Sequence, residues 1–370
     1  MPRSCELGSF AAGLPLEWQE LVAQSAPTFD QTLPWFIAFE RHLLRPGERL
    51  HLLGVADDAG TPLALLPLRR DLVPLAGRVR AAGLVALSNY YTALFAPLGT
   101  PAGTERAVPA LARAAVAAGA GAAVIDLNPV AADDAASGAL AAEWEQQGYR
   151  IERYFRFGNW YLEVGGRSSE AYLASLPGQL RSTLQRKGKK LYARPDVSVR
   201  IVTEPTEVPA ALDAYEAVYR SSWKSDEPGR EFIRAVAAEF ARRDWLRLGL
   251  IALGTRPVAA QIWFVYRGTA SIFKLAYDEE FAQLSVGSAL TLALMRHALD
   301  VDRVAVVDYL CGDDAYKRDW MSARRERLGI RAIRRASWPG ALTALMAVAR
   351  RIRRSGAPLP RVPDGARGAT

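Results

Sequence analysis

The residues best suited to chemistry lie between positions 261 and 320. An apolar run, Val304-Ala-Val-Val-Asp-Tyr-Leu310, carries one acid, Asp308, and Gly-Asp-Asp-Ala-Tyr-Lys (312–317) follows it. A carboxylate at the end of a buried strand is costly unless it is paired or used. Two roles therefore fit Asp308: a general base, or a partner for a loop N–H, Lys317 or Arg318. Tyr316 and Lys317 fall just past the strand's carboxyl end, where α/β proteins gather their sites. The phenol suits a proton donor and the ammonium suits an anion holder, with ordinary loop packing as the alternative. Gln261 and Lys274 each interrupt an apolar run. Such groups either face a cleft or bond to one another inside the protein. His297, among Leu294, Met295 and Leu299, reads as structural.

The elements that position these residues follow from apolar patterning. Runs at 248–253, 258–266 and 271–278, separated by Gly254 and Arg267-Gly268, predict an antiparallel three-strand meander. A helix over 287–299 and a buried strand over 303–310 come next. Gly287 thus falls at a helix N-terminus, where free N–H groups and the helix dipole suit an anion such as pyrophosphate.

The same plan occurs earlier in the chain. Residues 52–70 (LLGVADDAGTPLALLPLRR) parallel 247–267 (RLGLIALGTRPVAAQIWFVYR), each a hairpin with a Gly-Thr turn and a proline. A helical stretch at 104–119 and the apolar strand GAAVIDL (121–127) follow the first hairpin, as 287–299 and 303–310 follow the second. The unit of hairpin, strand, helix and buried strand is therefore duplicated, and the fold class is α/β with mixed sheets. The 370 residues suit about two domains at roughly 150 residues each. The divisions expected are 1–165, 166–336 and a tail, 337–370. After Asp126 the first unit lacks a Gly-Asp-x-x-Tyr-Lys loop, so it is expected to shape a cleft while the second unit binds donor.

Composition excludes several classes. Two distant cysteines, Cys5 and Cys311, form no CxxC pair, and three histidines show no metal spacing; no disulfide framework and no metal are expected, and a reducing, cytoplasmic setting fits. No apolar run is long enough to span a bilayer. The charge balance, 47 Lys plus Arg less 39 Asp plus Glu or +8, favours an anionic partner. Much of the excess lies in residues 178–200, with Arg181, Arg186, Lys187, Lys189, Lys190, Arg194 and Arg200. This segment reads either as a solvated helix face or as a contact for a phosphate, lipid headgroup or nucleic acid. It has no interleaved aromatics to stack bases, so nucleic acid is not an expected partner. From Ser337 a helix cap leads into Leu342, Leu345, Met346, Ala349 and Ile352 at helical spacing, with Arg350, Arg351, Arg353 and Arg354. That pattern is a basic amphipathic helix, either packed on the domain or resting on an anionic membrane surface as a peripheral contact.

The segments SSWKSDE (221–227), FKLAYDEEFAQLSVGSAL (273–290) and DYLCGDDAYKRDW (308–320) resemble, in this order, the FemAB-like, cellulose-biosynthesis-associated branch of the GNAT acyltransferases. Leu284-Ser-Val-Gly-Ser-Ala289 is similar to that superfamily's Arg/Gln-x-x-Gly-x-Gly/Ala turn, although Leu284 stands where Arg or Gln is usual. The likeness covers about residues 170–335 and implies two tandem GNAT-like domains. It also implies an N-acyltransferase taking an acyl group from acyl-CoA, or acyl carrier protein, to an amine acceptor. The acceptor would be a cell-envelope precursor, either a sphingoid base, as for the bacterial ceramide synthases of this superfamily, or an amino sugar. By the same resemblance, Ser285, Val286, Gly287, Ser288 and Ala289 hold the pyrophosphate. The strand 271–278, with Tyr277, flanks the pantetheine arm, Tyr316 protonates the thiolate, and Trp223, Lys224 and Glu227 lie on the acceptor side, with a core role as the alternative for Trp223; Gln261 and Lys274, read from their strands alone, either bind the acceptor or bond inside the protein. A FemABX-type aminoacyl-tRNA-dependent ligase and a non-catalytic binding protein are the other readings.

Overall fold

The computed structural model describes residues 2–355 apart from Pro46, Gly77, Gly121, Ser225 and Asp226. In chain order the first half holds β1 (Arg3–Leu7), α1 (Leu16–Ser25), α2 (Leu33–His42), β2 (Leu50–Ala56), β3 (Pro62–Ala76), β4 (Val79–Ala86), α3 (Pro101–Ala118), β5 (Val124–Ala131), α4 (Ala135–Gln146) and β6 (Tyr149–Glu163). Two helices, α5 (Ser169–Ser175) and α6 (Gly178–Tyr192), cross to the second half. There follow β7 (Val197–Val202), α7 (Val208–Arg220), α8 (Arg230–Ala241), β8 (Leu246–Leu253), β9 (Arg256–Tyr266), β10 (Thr269–Tyr277), α9 (Val286–Arg296), β11 (Val306–Asp308), α10 (Ala315–Trp320), β12 (Ala323–Arg334) and α11 (Trp338–Ser355).

The duplication is visible element by element. An edge strand, two helices, an antiparallel meander, a helix and a parallel strand make up β1 to β5, and again β7 to β11. Both parallel pairings, β4 with β5 and β10 with β11, last only three residues. All twelve strands form one sheet, ordered β1-β2-β3-β4-β5-β12-β6-β11-β10-β9-β8-β7. The sixth strand of each half is exchanged: β6 pairs with β11 of the second half, and β12 pairs with β5 of the first. The two exchanged strands also pair with each other from Tyr161–Ala323 to Tyr149–Arg334.

A shared aromatic core joins the halves. Phe29, Trp35, Phe36 and Phe39 from the first half are buried together with Phe232, Phe240 and Phe264 from the second. The Trp35 and Phe232 rings meet edge to face at 4.7 Å. Truncating one such ring removes both its transfer energy and its packing, about 3–5 kcal/mol.

Three expectations shift at their ends. The buried strand expected over 303–310 is regular only at Val306–Asp308, and the preceding helix runs on as a wide π turn, His297–Val301. The first-half counterpart, expected at 121–127, sits at Val124–Ala131, and the helix expected over 104–119 starts earlier, at Pro101. In the tail, the Ser337 hydroxyl accepts a bond from the Gly340 N–H at 3.2 Å, as a cap should. The expected apolar stripe of α11 does not all turn inward: Leu345 is 68% exposed, and the side chains of Ala349 and Ile352 lie outside the described ones. The remaining tail, residues 356–370, lies outside the described residues.

Candidate active site

The strands β10 and β11 part after Ser271 and Asp308, the last residues they pair. Beyond that point β10 continues to Tyr277, paired only with β9 and bulged at Phe273. One edge of β10 is thereby left open. At its far end stands the start of α9, where Ser285 adopts a left-handed backbone (φ 53°) and no side chain caps the helix. The first-turn N–H groups of Val286, Gly287 and Ser288 therefore have no side-chain acceptor. A Cβ on Gly287 would lie 2.9 Å from Cδ1 of Tyr277, so glycine lets the ring close on the turn. Tyr277 in turn packs on Trp223, ring centroids 4.7 Å apart.

Beside the splayed strands lies a cleft of about 360 Å³, lined by Tyr90 and Tyr91 from the first half and by Trp223, Lys224, Lys274, Cys311, Tyr316 and Lys317 from the second, among others. Behind its Tyr91 and Lys274 wall lies a polar network around Glu227, which itself lines a neighbouring pocket. One carboxylate oxygen accepts the Tyr91 hydroxyl, and the other accepts the Lys274 ammonium at 2.7 Å. Lys274 also sits over the Tyr91 ring, 4.2 Å from its centroid. Gly229 makes room for Tyr91, since a Cβ there would meet its hydroxyl at 2.7 Å. The Lys224 ammonium bonds the carbonyl of Leu275 on the open strand. Burial, reinforced by the Lys274 charge, lowers Lys224 to about 8. Burial likewise lowers Lys274, partly offset by Glu227. Burial pushes Tyr316 up to about 12 and the Cys311 thiol up to about 12, so both stay protonated at neutral pH.

Not every candidate faces this cleft. Asp308 accepts bonds from Asn159 Nδ2, the Leu310 N–H and Arg325 Nη2, each at 2.6 Å, and it is not among the cleft-lining residues. Gln261 is buried in the sheet. It donates to the Gly287 carbonyl (3.1 Å) and Thr291 Oγ1 (2.8 Å) and accepts from Trp263 Nε1. Gln261 thus pins the first turn of α9 to β9 and is kept from any bound molecule. Lys317 reaches the cleft wall, but its ammonium is held by the Cys311 and Gly312 carbonyls and lies 3.2 Å from Asp314. Tyr316 packs edge-on against Tyr309 with its ring half exposed. His297 lies 3.7 Å from Asp302, away from the cleft. Tyr90 and Tyr91 are cleft residues that the sequence did not single out; the Asn-Tyr-Tyr after an apolar strand was the only available signal. Among the described residues no cluster of three metal-ligating side chains occurs.

A duplicated mixed unit with a splayed parallel pair, a bulged strand and an uncapped helix start defines a class, the GNAT acyltransferase fold in tandem. Residues 178–318 match the family described as the acetyltransferase (GNAT) domain. The chain's fold is similar to the crystal structure of FemX, with a TM-score of 0.58 at 10% identity over 90% of this chain and 98% of that one. It is also similar to L-PGS from Bacillus licheniformis (TM-score 0.54, 13% identity, 94% and 98% coverage). A third similar structure is the C-terminal domain of a putative lysylphosphatidylglycerol synthetase from Agrobacterium fabrum (0.52, 14%, 90% and 96%). No curated protein matches the sequence.

Proposed function

We propose that the protein is an N-acyltransferase that moves an acyl group from acyl-CoA to the amine of a cell-envelope precursor. The observation that carries this reading is the open, bulged edge of β10 leading to the uncapped start of α9. Such an edge offers main-chain groups to a pantetheine arm, and the helix start offers N–H groups to a pyrophosphate. Val286, Gly287, Ser288 and Ala289 take the phosphates, with Tyr277 and Trp223 walling the turn. The basic face of α6, which packs against α9, adds positive charge beside it.

Transfer needs a neutral amine, a stabilised carbonyl oxygen and a protonated leaving thiol. Lys224, neutral above about pH 8, accepts the amine proton as the C–N bond forms. A main-chain N–H of the β10 bulge polarises the carbonyl. As the C–S bond breaks, Tyr316 gives its proton to the thiolate. The positive charge of Lys274 disfavours a protonated amine in the cleft and so helps to present it neutral. Asp308, fully engaged by Asn159, Leu310 and Arg325, acts as a positioning residue that holds β11, β6 and β12 together. A peripheral membrane role for α11 draws support from exposed Trp338 and Leu345; no helix of the described residues is long and apolar enough to cross a membrane.

The second reading, an aminoacyl-tRNA-dependent ligase, is favoured by the basic α6 alone. Thermal shift with acetyl-CoA, a long-chain acyl-CoA and tRNA separates the two, because a ligand of the native state raises the melting temperature by mass action. A shift with a thioester, and thiol release on adding an amine, is the expected result. A shift with tRNA and none with any thioester would replace the first reading by the second.

A further inference from the structure

A second, smaller pocket of about 220 Å³ lies between α7 and α8 and is lined by Leu212, Tyr215, Glu216, Tyr219, Arg220, Glu227, Arg230 and Ile233. Glu227 stands between it and the cleft, its carboxylate bonded on the cleft side by Tyr91 and Lys274. Tyr215 is only 2% exposed, yet its hydroxyl has no hydrogen-bond partner. Buried polar atoms are rarely left so, because an unmade bond retains its full desolvation cost.

We infer that this pocket seats the acceptor's substituent, a hydroxyl-bearing group about the size of one sugar ring, with the reacting amine passing Glu227 into the cleft. The inference rests on the acyltransferase reading and narrows its acceptor to an amino sugar over a long-chain base.

The chemistry of the walls carries the choice. Tyr215 offers one donor and spare acceptor capacity. Each Glu227 oxygen accepts one bond and retains room for another. Arg220 and Arg230 stand at the exposed mouth, with Arg230 already bridged to Glu216 at 2.7 Å. Leu212, Ile233 and the tyrosine rings supply apolar faces. Hydroxyls around the edge of an apolar ring face complement that set. An alkyl chain would leave the Tyr215 hydroxyl and the spare Glu227 sites unpaired, and a site built to hydrogen-bond rejects ligands that lack the partner. The volume is also below the roughly 300–1,000 Å³ of pockets that hold whole drug-sized ligands, so it fits one fragment of a larger molecule.

The test is calorimetric titration of D-glucosamine and, separately, of sphinganine into the full chain, with and without CoA. Wild type, Tyr215→Phe and Ile233→Trp are compared. Glucosamine should bind wild type, bind Tyr215→Phe about tenfold more weakly, and fail to bind Ile233→Trp. Because the Tyr215 hydroxyl bonds nothing in the protein, Tyr215→Phe should keep or raise the melting temperature. That variant therefore decides the matter even if Ile233→Trp folds poorly. The thioester-induced thermal shift should be the same in wild type and Tyr215→Phe. The inference is overturned if wild type ignores glucosamine, if Tyr215→Phe binds it as wild type does, or if sphinganine binds more tightly than glucosamine. A missing thioester shift in wild type would instead remove the acyltransferase reading and leave the titrations to judge the pocket.

Discussion

The two halves share a plan and differ where a donor would sit. In the second half, β10 runs six residues past its last pair with β11 and ends beside the uncapped start of α9. In the first half, β4 stops at Ala86, one residue past its last pair with β5. The strand edge that β4 vacates is closed by Leu98, which exchanges two main-chain bonds with Leu65 at 2.7 and 2.8 Å. The start of α3 is also closed. Thr100 caps it by accepting from the Gly103 N–H at 3.1 Å, and Pro101 takes the first helical position. A Cβ at Gly99 or Gly103 would lie 2.5 or 2.8 Å from the Leu63 carbonyl, so main chain already fills the place that α9 leaves free. A cap and a strand end thus separate the closed turn of the first half from the open one of the second. The first half then serves the cleft differently, by sending Tyr90 and Tyr91 into it.

The sharpest way to break this contrast is Gly287→Trp. Filling the turn against Tyr277 should weaken thioester binding by at least about 100-fold, about 2.7 kcal/mol, read as loss of the thermal shift. If the shift survives, the donor lies elsewhere. Next is Lys224→Ala, expected to lower kcat by about 100-fold, the lower range for a lost proton acceptor, with donor affinity retained. In wild type the rate should rise about tenfold per pH unit below about 8 and level off above it, since only unprotonated Lys224 takes a proton. An unchanged pH profile in Lys224→Ala would assign the proton to another group. Smaller again is the paired comparison of Asp308→Asn with Asp126→Asn. Each acid is tied to an arginine of β12, Arg325 and Arg331 respectively. Each change should cost about 1–3 kcal/mol of stability by denaturant melts, and neither should abolish donor binding. The mildest is Thr100→Ala, which removes a cap for about 1 kcal/mol and should leave the thioester shift untouched.

Much of this layout was legible in the sequence because it rests on apolar runs and glycine turns. Both hairpins, the second-half meander and the helix start near Gly287 follow from patterning that tertiary packing does not override. Asp308 was harder. Its type and place suited a base, but its partners Asn159 and Arg325 come from β6 and β12, far away in sequence. Gln261 left two roles open for a similar reason: a polar residue in an apolar strand needs a partner, and which side of the sheet supplies it is a tertiary fact. The roles of Tyr90 and Tyr91 depend on the first half folding against the second, which no local signal records. The β6–β12 exchange was also invisible, because either strand could satisfy either edge.

That exchange makes the halves inseparable. Removing β12 with its half would bare the long edge of β5, and losing β6 would bare β11; unpaired edges of this kind invite aggregation. A polypeptide cut between α5 and α6 would therefore yield two pieces that are insoluble apart and complement each other when co-expressed. In this sense the protein resembles a swapped homodimer whose two subunits have been spliced into one chain, and only one of them keeps an uncapped helix start.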